Sequence, residues 1–274
     1  MIINTNIYFK ELKRHRNSFL AWSISISALI LVGMASFPLM MQGDMLKRLT
    51  PFFESPFMKG MMTAFSVSLD AMTNILGYYA GRNAMFNMLL GSFFSILLAG
   101  KILAQEERER TAEFLLTKPV TRSEVVWSKL AAFLTYLLLL NVIILFIGFI
   151  SLESFKGESH YSLAAFLIHS FYFFLLMLAF GAIGFFLSLL IKRGRPITNI
   201  SIGIIVGGYF IEIISKVTAS ADKIGYISPF KFIDSGVLRP DYGLTWWREL
   251  YFLGISLVLF ALTFFIYKKK DILI

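Results

Sequence analysis

The chain has 274 residues, of which 57% are hydrophobic and 16% are charged, and its formal net charge is +9. Soluble domains are about 25% charged, so this chain has too little polar surface to cover a water-soluble globule of its size. It contains no cysteine, which excludes disulfides, thiolate metal sites and cysteine nucleophiles. We therefore treat residues 1–274 as a single transmembrane domain and divide them into membrane spans.

The N-terminal segment is predicted to form an amphipathic helix on the membrane surface. Its apolar residues recur at helical spacing and are Ile3, Ile7, Tyr8 and Leu12. Its basic side consists of Lys10, Lys13, Arg14 and Arg16. The alternative is a disordered basic leader that obeys the positive-inside rule. No small-residue cleavage site follows the first apolar run, so we expect no cleaved signal peptide.

Six apolar runs are long enough to cross a bilayer, for which about 20 residues suffice. They cover residues 19–41, 83–104, 125–151, 163–191, 197–215 and 247–267. Each run is expected to be a helix, because the backbone must satisfy its own hydrogen bonds inside the bilayer. Pro38 is expected to kink the first span. The glycines at 181–184 and 203–208 are expected to allow close helix packing. The predicted fold class is therefore all-α and integral to the membrane.

Basic residues in the short loops set the orientation of the chain. Residues 1–18, 101–129, 192–196 and 268–274 hold 16 of the 26 Lys and Arg residues but only 7 of the 17 acids. We assign these stretches, and thus both termini, to the cytoplasm. The basic charge is then explained by topology and by anionic membrane lipid. No recognition motif accompanies the charge, so we expect no nucleic-acid partner.

On the outer side, residues 56–79 are predicted to form one amphipathic helix. Ser55 is a suitable N-cap, and Pro56 a suitable first helical residue. The apolar stripe repeats at helical spacing and consists of Met58, Met61, Met62, Phe65, Leu69, Met72, Leu76 and Tyr79. Either the helix lies on the membrane and leads into the second span, or its methionines form a surface that meets varied apolar substrates.

The second outer stretch, 216–246, is too short for a domain and too apolar for a free loop. We expect short re-entrant or surface helices there. Trp246, Trp247 and Tyr251 are typical of an aromatic belt at the membrane interface, where the last span begins.

Residues 104–129, AQEERERTAEFLLTKPVTRSEVVWSK, form the longest strongly charged cytoplasmic segment. Within it, Phe114, Leu115 and Leu116 are a short exposed apolar patch next to charges, as a partner-binding site requires. Pro119 ends this short helix, and Thr121 or Ser123 can cap the next span. Spacing alone does not separate a helix that docks on a soluble partner from a loop helix that rests on lipid.

This segment resembles the cytoplasmic motif of the ABC type 2 permease family, the membrane halves of ATP-binding-cassette exporters. The matching residues are Glu106, Glu107, Arg108, Thr111, Glu113, Leu115, Leu116, Pro119, Val120, Thr121, Arg122 and Lys129. Arg110 replaces the usual glycine. The outer sequence YISPF at 226–230 also resembles the region before the last span in this family. Six spans and the position of the motif between spans two and three agree with it.

The resemblance implies a transport subunit that is not itself an enzyme. No GxxxxGK[ST] phosphate loop occurs in the sequence, so ATP and Mg are expected in a separate ATPase and no cofactor in this chain. The implied assembly has two ATPase chains and two permease chains, as a homodimer or with a similar partner. The implied coupling residues are Glu106, Glu107, Arg108, Arg110, Thr111, Glu113, Phe114, Leu115, Leu116, Pro119 and Arg122.

The implied location is a bacterial-type plasma membrane. The outer loops leave no room for a large external domain, so the expected cargo is hydrophobic or amphipathic, such as a peptide, toxin or drug. One alternative is an ion-coupled secondary transporter without an ATPase, which predicts buried charges in several spans. Another is a membrane-bound enzyme, which predicts clustered catalytic residues at one depth.

Glu212 is the one acid well inside a predicted span. Such acids are costly and often functional, which makes Glu212 a candidate for the substrate path. It also lies four residues before Lys216, so a structural i,i+4 pair is the competing interpretation. The histidines His15, His160 and His169 lack metal-ligand spacing, and no metal site is expected.

Overall fold

The computed structural model describes residues 3–41, 51–64, 69–82, 86–108, 120–190 and 197–269, and all regular structure in these ranges is helical. In chain order the helices are α1 (Thr5–Ala35), α2 (Phe37–Met41), α3 (Pro56–Ala64), α4 (Leu69–Thr73), α5 (Ile75–Arg82), α6 (Met88–Arg108), α7 (Arg122–Phe155), α8 (Leu163–Leu190), α9 (Ile197–Val217), α10 (Asp222–Gly225) and α11 (Trp246–Lys269). Six of them, α1, α6, α7, α8, α9 and α11, are long and apolar enough to cross a membrane. The predicted all-α fold with six spans is confirmed.

Helices α6 and α8 form the centre of the bundle. In their most apolar stretches 67% of the residues are buried, against 22% for α9 and α11. Helix α8 packs along α6 on one side and α11 on another, and α1 packs along α7. A Cβ atom at Gly184 would collide with the backbone of Ile96 and come within 3.0 Å of the Ala99 Cβ. Close packing at 181–184 is therefore confirmed, because only glycine allows this approach of α8 to α6.

The glycines of α9 differ from those of α8. No atom of the part of the chain that the structure describes lies within 4 Å of a Cβ built at Gly203 or Gly207. Ile202, Val206 and Phe210, on neighbouring positions of α9, are exposed large side chains. Within the described residues, the expected close packing at Gly203 and Gly207 is thus not present. This face of α9 is open.

The N-terminal segment is not a separate surface helix, so that prediction is wrong. Residues 5–35 form one continuous helix, α1, which ends at Ser36, two residues before Pro38. Every fourth residue from Ile7 to Phe19 is buried. This stripe packs against α7, where the Asn4 amide donates to Ser128 Oγ at 2.7 Å. Of the predicted apolar side, Ile7 is buried and Tyr8 and Leu12 are partly buried against α7, whereas Ile3 is exposed.

The predicted single helix over 56–79 is also wrong. The structure has three helices there, α3, α4 and α5, and residues 65–68 lie outside the described ranges. Asn74 Oδ1 accepts hydrogen bonds from the amides of Leu76 at 2.9 Å and Gly77 at 3.3 Å, and so caps α5. Leu76 and Tyr79 are buried in the core, whereas Met61 is exposed. Residues of the predicted apolar stripe thus lie partly in the protein core and partly on its exposed surface.

The stretch before the last span contains short helices, as expected. Helix α10 and two 3₁₀ turns, Ala219–Ala221 and Pro229–Phe232, follow α9. Ser228 caps the second turn by accepting from the Phe230 amide at 3.2 Å. The Phe230 ring lies 5.1 Å from Phe180 and 5.4 Å from Tyr209. The YISPF sequence therefore anchors this segment between α8 and α9.

Candidate functional site

The predicted coupling residues surround the connection between α6 and α7. Glu106, Glu107 and Arg108 form the last turn of α6, and Arg122 is the first residue of α7. The rest of the predicted coupling set lies outside the described residues: Arg110, Thr111, Glu113, Phe114, Leu115, Leu116 and Pro119. The structure thus defines the two helices from which this segment extends.

The start of α7 is fixed by a capping box at Thr121, one of the two caps expected. Thr121 Oγ1 accepts from the Glu124 amide at 3.2 Å, and Glu124 Oε2 accepts from the Thr121 amide at 2.7 Å. These bonds satisfy two backbone donors that the helix start would otherwise leave unpaired. These two hydrogen bonds therefore fix the backbone conformation at the start of α7.

Behind this connection lies a group of buried polar residues that we call the buried junction: Glu11, His15, Lys129 and the Ile102 carbonyl. Glu11 and Lys129 have no exposed surface. Lys129 Nζ lies 3.7 Å from Glu11 Oε1 and donates to the carbonyl oxygen of Ile102. His15 Nε2 lies 3.4 Å from Glu11 Oε2. The junction joins α1, α6 and α7, because each supplies one of these groups.

Sequence reasoning found Lys129 through the family motif but missed Glu11 and His15. Both residues lie at four-residue spacing between Ile7 and Phe19, on the buried stripe of α1. An acid on the buried stripe of a helix requires a basic partner, because an isolated buried charge is very costly. The position of Glu11 on this stripe therefore indicates a basic partner, although it does not identify which basic residue that partner is.

The same end of the bundle holds both described chain ends. Arg122 Nη1 donates to the carbonyl oxygen of Lys268 at 3.1 Å and so ties the start of α7 to the end of α11. The hydroxyl of Tyr136 donates to the carbonyl oxygen of Leu12 in α1. We call the end of the bundle that holds Arg122 and Lys268 its basic end. The start of α1, the start of α7 and the end of α11 therefore lie at one end of the bundle.

At the opposite end, Glu212 forms the predicted pair with Lys216. Glu212 Oε1 lies 2.7 Å from Lys216 Nζ, and Glu212 is buried while Lys216 is partly exposed. Ser215 Oγ lies 3.3 Å from Glu212 Oε2. The structural interpretation of Glu212 is thus supported by geometry. The pair also lines an open cleft of about 750 Å³, so a contact with substrate is compatible with this position.

The cleft has a mixed lining and carries charges of both signs. Asp234 accepts from Arg248 at 3.0 Å and from Arg239. Burial acts to raise the pKa of Asp234, but the Gly236 amide and the two guanidinium groups outweigh burial and hold this pKa below its usual value. Met62 of α3 also lines the cleft. The cleft thus combines ionic groups with a methionine of the outer apolar stripe.

Six apolar helices around a glycine-packed centre define an α-helical multi-pass membrane protein. The sequence profile of the ABC-2 family transporter protein matches residues 5–272, and the chain therefore belongs to this family. It is a transmembrane subunit of an ABC transporter, as its resemblance to ABC type 2 permeases implied. Among curated proteins, none matches this chain significantly.

Proposed function

We propose that this chain is the membrane subunit of an exporter that is driven by a separate ATPase. The ATPase binds ATP and Mg and docks on residues 106–122. Two copies of each subunit form the transporter in a bacterial-type plasma membrane. The proposal rests on family membership and on the buried junction behind the docking segment.

The buried junction supports a mechanical role for the segment. Ile102 lies six residues before the end of α6, and Lys129 lies seven residues after the start of α7. At 1.5 Å per residue, both ends of the segment are held about 10 Å from the junction. A movement of the docked ATPase would therefore be transmitted through the junction to α6, α7 and α1 together.

The proposed cargo is a hydrophobic or amphipathic molecule, such as a peptide, toxin or drug. The cleft at the opposite end supports this class, because it has both ionic groups and apolar contacts. Glu212 and Lys216 would then meet a polar part of the cargo on its way out. An ion-coupled transporter would instead need buried charges along one path through the membrane. The buried charges of α1 and α7, Glu11 and Lys129, lie at the opposite end of the bundle from Glu212 of α9.

The open face of α9 supports assembly with a second copy of this chain. Gly203 and Gly207 have the four-residue spacing at which small residues let two membrane helices approach closely. Among the described residues, none comes within 4 Å of a Cβ built at either glycine. We propose that α9 packs against α9 of a second permease subunit around a twofold axis.

The coupling proposal is tested by the double substitution Phe114→Ala and Leu115→Ala, with the chain and its ATPase co-expressed. Burial of each large apolar side chain contributes about 1.5–3 kcal/mol, part of which is lost to ordering on binding. We expect the variant to insert normally, to lose ATPase during purification and to lose cargo-stimulated hydrolysis in vesicles.

Glu107→Lys is the comparison variant for charge. Charges around a docking site mainly set association rate and register, so Glu107→Lys should weaken docking less than the double substitution does. Its effect should be larger at low salt, where charges are screened less. If the double variant retains and stimulates the ATPase like the wild type, segment 106–122 is not the coupling element. Cargo movement without any ATPase would favour the ion-coupled alternative.

A further inference from the structure

An apolar groove of about 510 Å³ runs along the outside of the bundle between α7, α8 and α11. Trp127 and Leu134 of α7, Phe185 of α8 and Leu257 of α11 line it. Ser256 and Thr263 also line it, but their hydroxyls donate to carbonyl oxygens of α11 itself, each at 2.7 Å. The groove therefore offers an occupant apolar contact and almost no hydrogen bonding.

The length of the groove corresponds to one leaflet of a bilayer. Its lining on α11 extends from Leu253 to Phe265. Twelve helical steps of 1.5 Å give about 18 Å along the helix axis. The hydrocarbon core is about 30 Å thick, so this is slightly more than half of it. An acyl chain that starts at the membrane interface would fill such a groove.

One mouth of the groove is basic. The rings of Trp127 and Phe264 are 5.7 Å apart at this mouth, and Lys268 Nζ lies 4.4 Å from the Phe264 ring centre. Arg122 lies one helical turn before the groove and bonds to the carbonyl of Lys268. Lys269, the next residue of α11, is exposed. The mouth of the groove thus carries Arg122 and Lys268, with Lys269 following in the chain.

The acid on this turn does not cancel the basic mouth. Glu124 Oε2 accepts from both the amide and the hydroxyl of Thr121, at 2.7 Å and 2.9 Å. Its carboxylate is thereby directed to the helix start.

We propose that this groove is a binding site for an anionic phospholipid. One acyl chain lies between α7, α8 and α11, and the phosphate is held by Arg122, Lys268 and Lys269. Basic pockets between membrane helices recognise anionic headgroups in this way. A second copy of the chain is a poorer occupant, because a twofold axis through the groove would bring the same basic residues together.

The test measures lipid bound to the full-length chain by native mass spectrometry, after extraction from nanodiscs of equal phosphatidylglycerol and phosphatidylcholine. We expect the wild type to retain phosphatidylglycerol. The triple variant Arg122→Gln, Lys268→Gln and Lys269→Gln should bind it on the order of a hundredfold more weakly, since each charge contributes roughly fivefold. The control variant Lys10→Gln, Lys13→Gln and Arg16→Gln removes three charges from the same end and should retain it.

A second pair of variants tests the acyl chain without changing charge. Ala261 lines the groove, and Ala261→Trp should fill it and release the lipid at least about tenfold more readily, since buried apolar area is lost. Val258 is exposed outside the groove, and Val258→Trp should retain the lipid. Equal elution and thermal unfolding of the two variants confirm that both are folded.

Several results would overturn the proposal. Equal retention of phosphatidylcholine would mean that the headgroup is not recognised, and equal loss in the control variants would mean that the site is elsewhere. The native chain has no cysteine, so a disulfide-linked dimer of Leu257→Cys would show that a second subunit occupies the groove. Displacement of the lipid by an exported peptide or drug would assign the groove to cargo. Lipid retention is read without the ATPase, so it is independent of the coupling proposal.

Discussion

Lys129 is a basic residue with no exposed surface, and it contacts groups from α1 and α6. A buried ion pair of this kind is weak evidence for net stability, because desolvation offsets much of the attraction. Its stronger effect is on geometry. The Glu11 carboxylate and the Ile102 carbonyl fix where the start of α7 lies relative to α1 and α6.

We predict that Lys129→Gln and Glu11→Gln each destabilise the chain by about 3–5 kcal/mol, because each removes one charge of the buried Glu11–Lys129 pair and leaves the opposite charge buried. The double variant should recover most of this loss, since no uncompensated charge remains. Thermal unfolding in detergent measures all three. If the junction also positions the coupling segment, the double variant should be stable yet stimulate its ATPase less.

Additive effects of the two substitutions would contradict the pairing, because independent sites add and paired sites do not. Full ATPase stimulation in the stable double variant would leave the junction a role in folding alone. Lys13→Gln is the control for loss of one basic residue, since Lys13 is an exposed residue of the same helix.

For Glu212 we predict a smaller loss of stability than for the buried junction, because its partner Lys216 reaches solvent. Glu212→Gln should lower stability by only about 1 kcal/mol, since the amide can still accept from Lys216 and Ser215. Transport should be unchanged if Glu212 serves only this pair. Loss of transport at unchanged thermal stability would instead place Glu212 on the substrate path.

At the scale of helices, two amphipathic segments had patterns that fit more than one environment. The stripe of α1 suits a lipid surface as well as it suits α7, and the stripe over 56–79 continues across the helix break at Asn74. Helical periodicity describes which residues share a face. It does not say what covers that face, and for that reason both surface-helix predictions were wrong.

The open face of α9 gives a prediction for assembly. Val206→Cys should form a disulfide-linked dimer on mild oxidation in membranes, because it lies beside Gly203 and Gly207 on the proposed interface. Leu138→Cys is the matched control, since Leu138 is an exposed residue of α7. Equal cross-linking of both variants would indicate random collision, and cross-linking of the control alone would move the interface to α7.

For the whole molecule, the predicted orientation puts segment 109–119 in the cytoplasm. Ser159 lies between α7 and α8, whereas Thr121 lies at the start of α7. The two positions are at opposite ends of a helix about 50 Å long. In intact cells, Ser159→Cys should react with a membrane-impermeant thiol reagent, and Thr121→Cys should react only after permeabilisation. The reverse pattern would invert the topology, and equal labelling would refute six spans.

The sequence by itself determined the six spans and offered the pair of Glu212 with Lys216 as one of two interpretations. Both depend on local rules: the length of an apolar run decides whether a helix can cross the bilayer, and residues four apart on a helix are neighbours. The glycines at 181–184 were likewise identified as packing positions. The family could be assigned from a short motif because the order of its residues along the chain carries the signal.

Only the tertiary structure decided which helices meet. Glu11, Lys129 and Ile102 are far apart in sequence, and no periodicity links them. The same holds for the groove, whose walls come from α7, α8 and α11, and for its basic mouth at Arg122 and Lys268. Inside a bilayer all spans are similarly apolar, so burial of apolar surface does not select partners. Close packing and the few polar side chains select which helices meet, and their effect depends on how the helices are arranged in three dimensions.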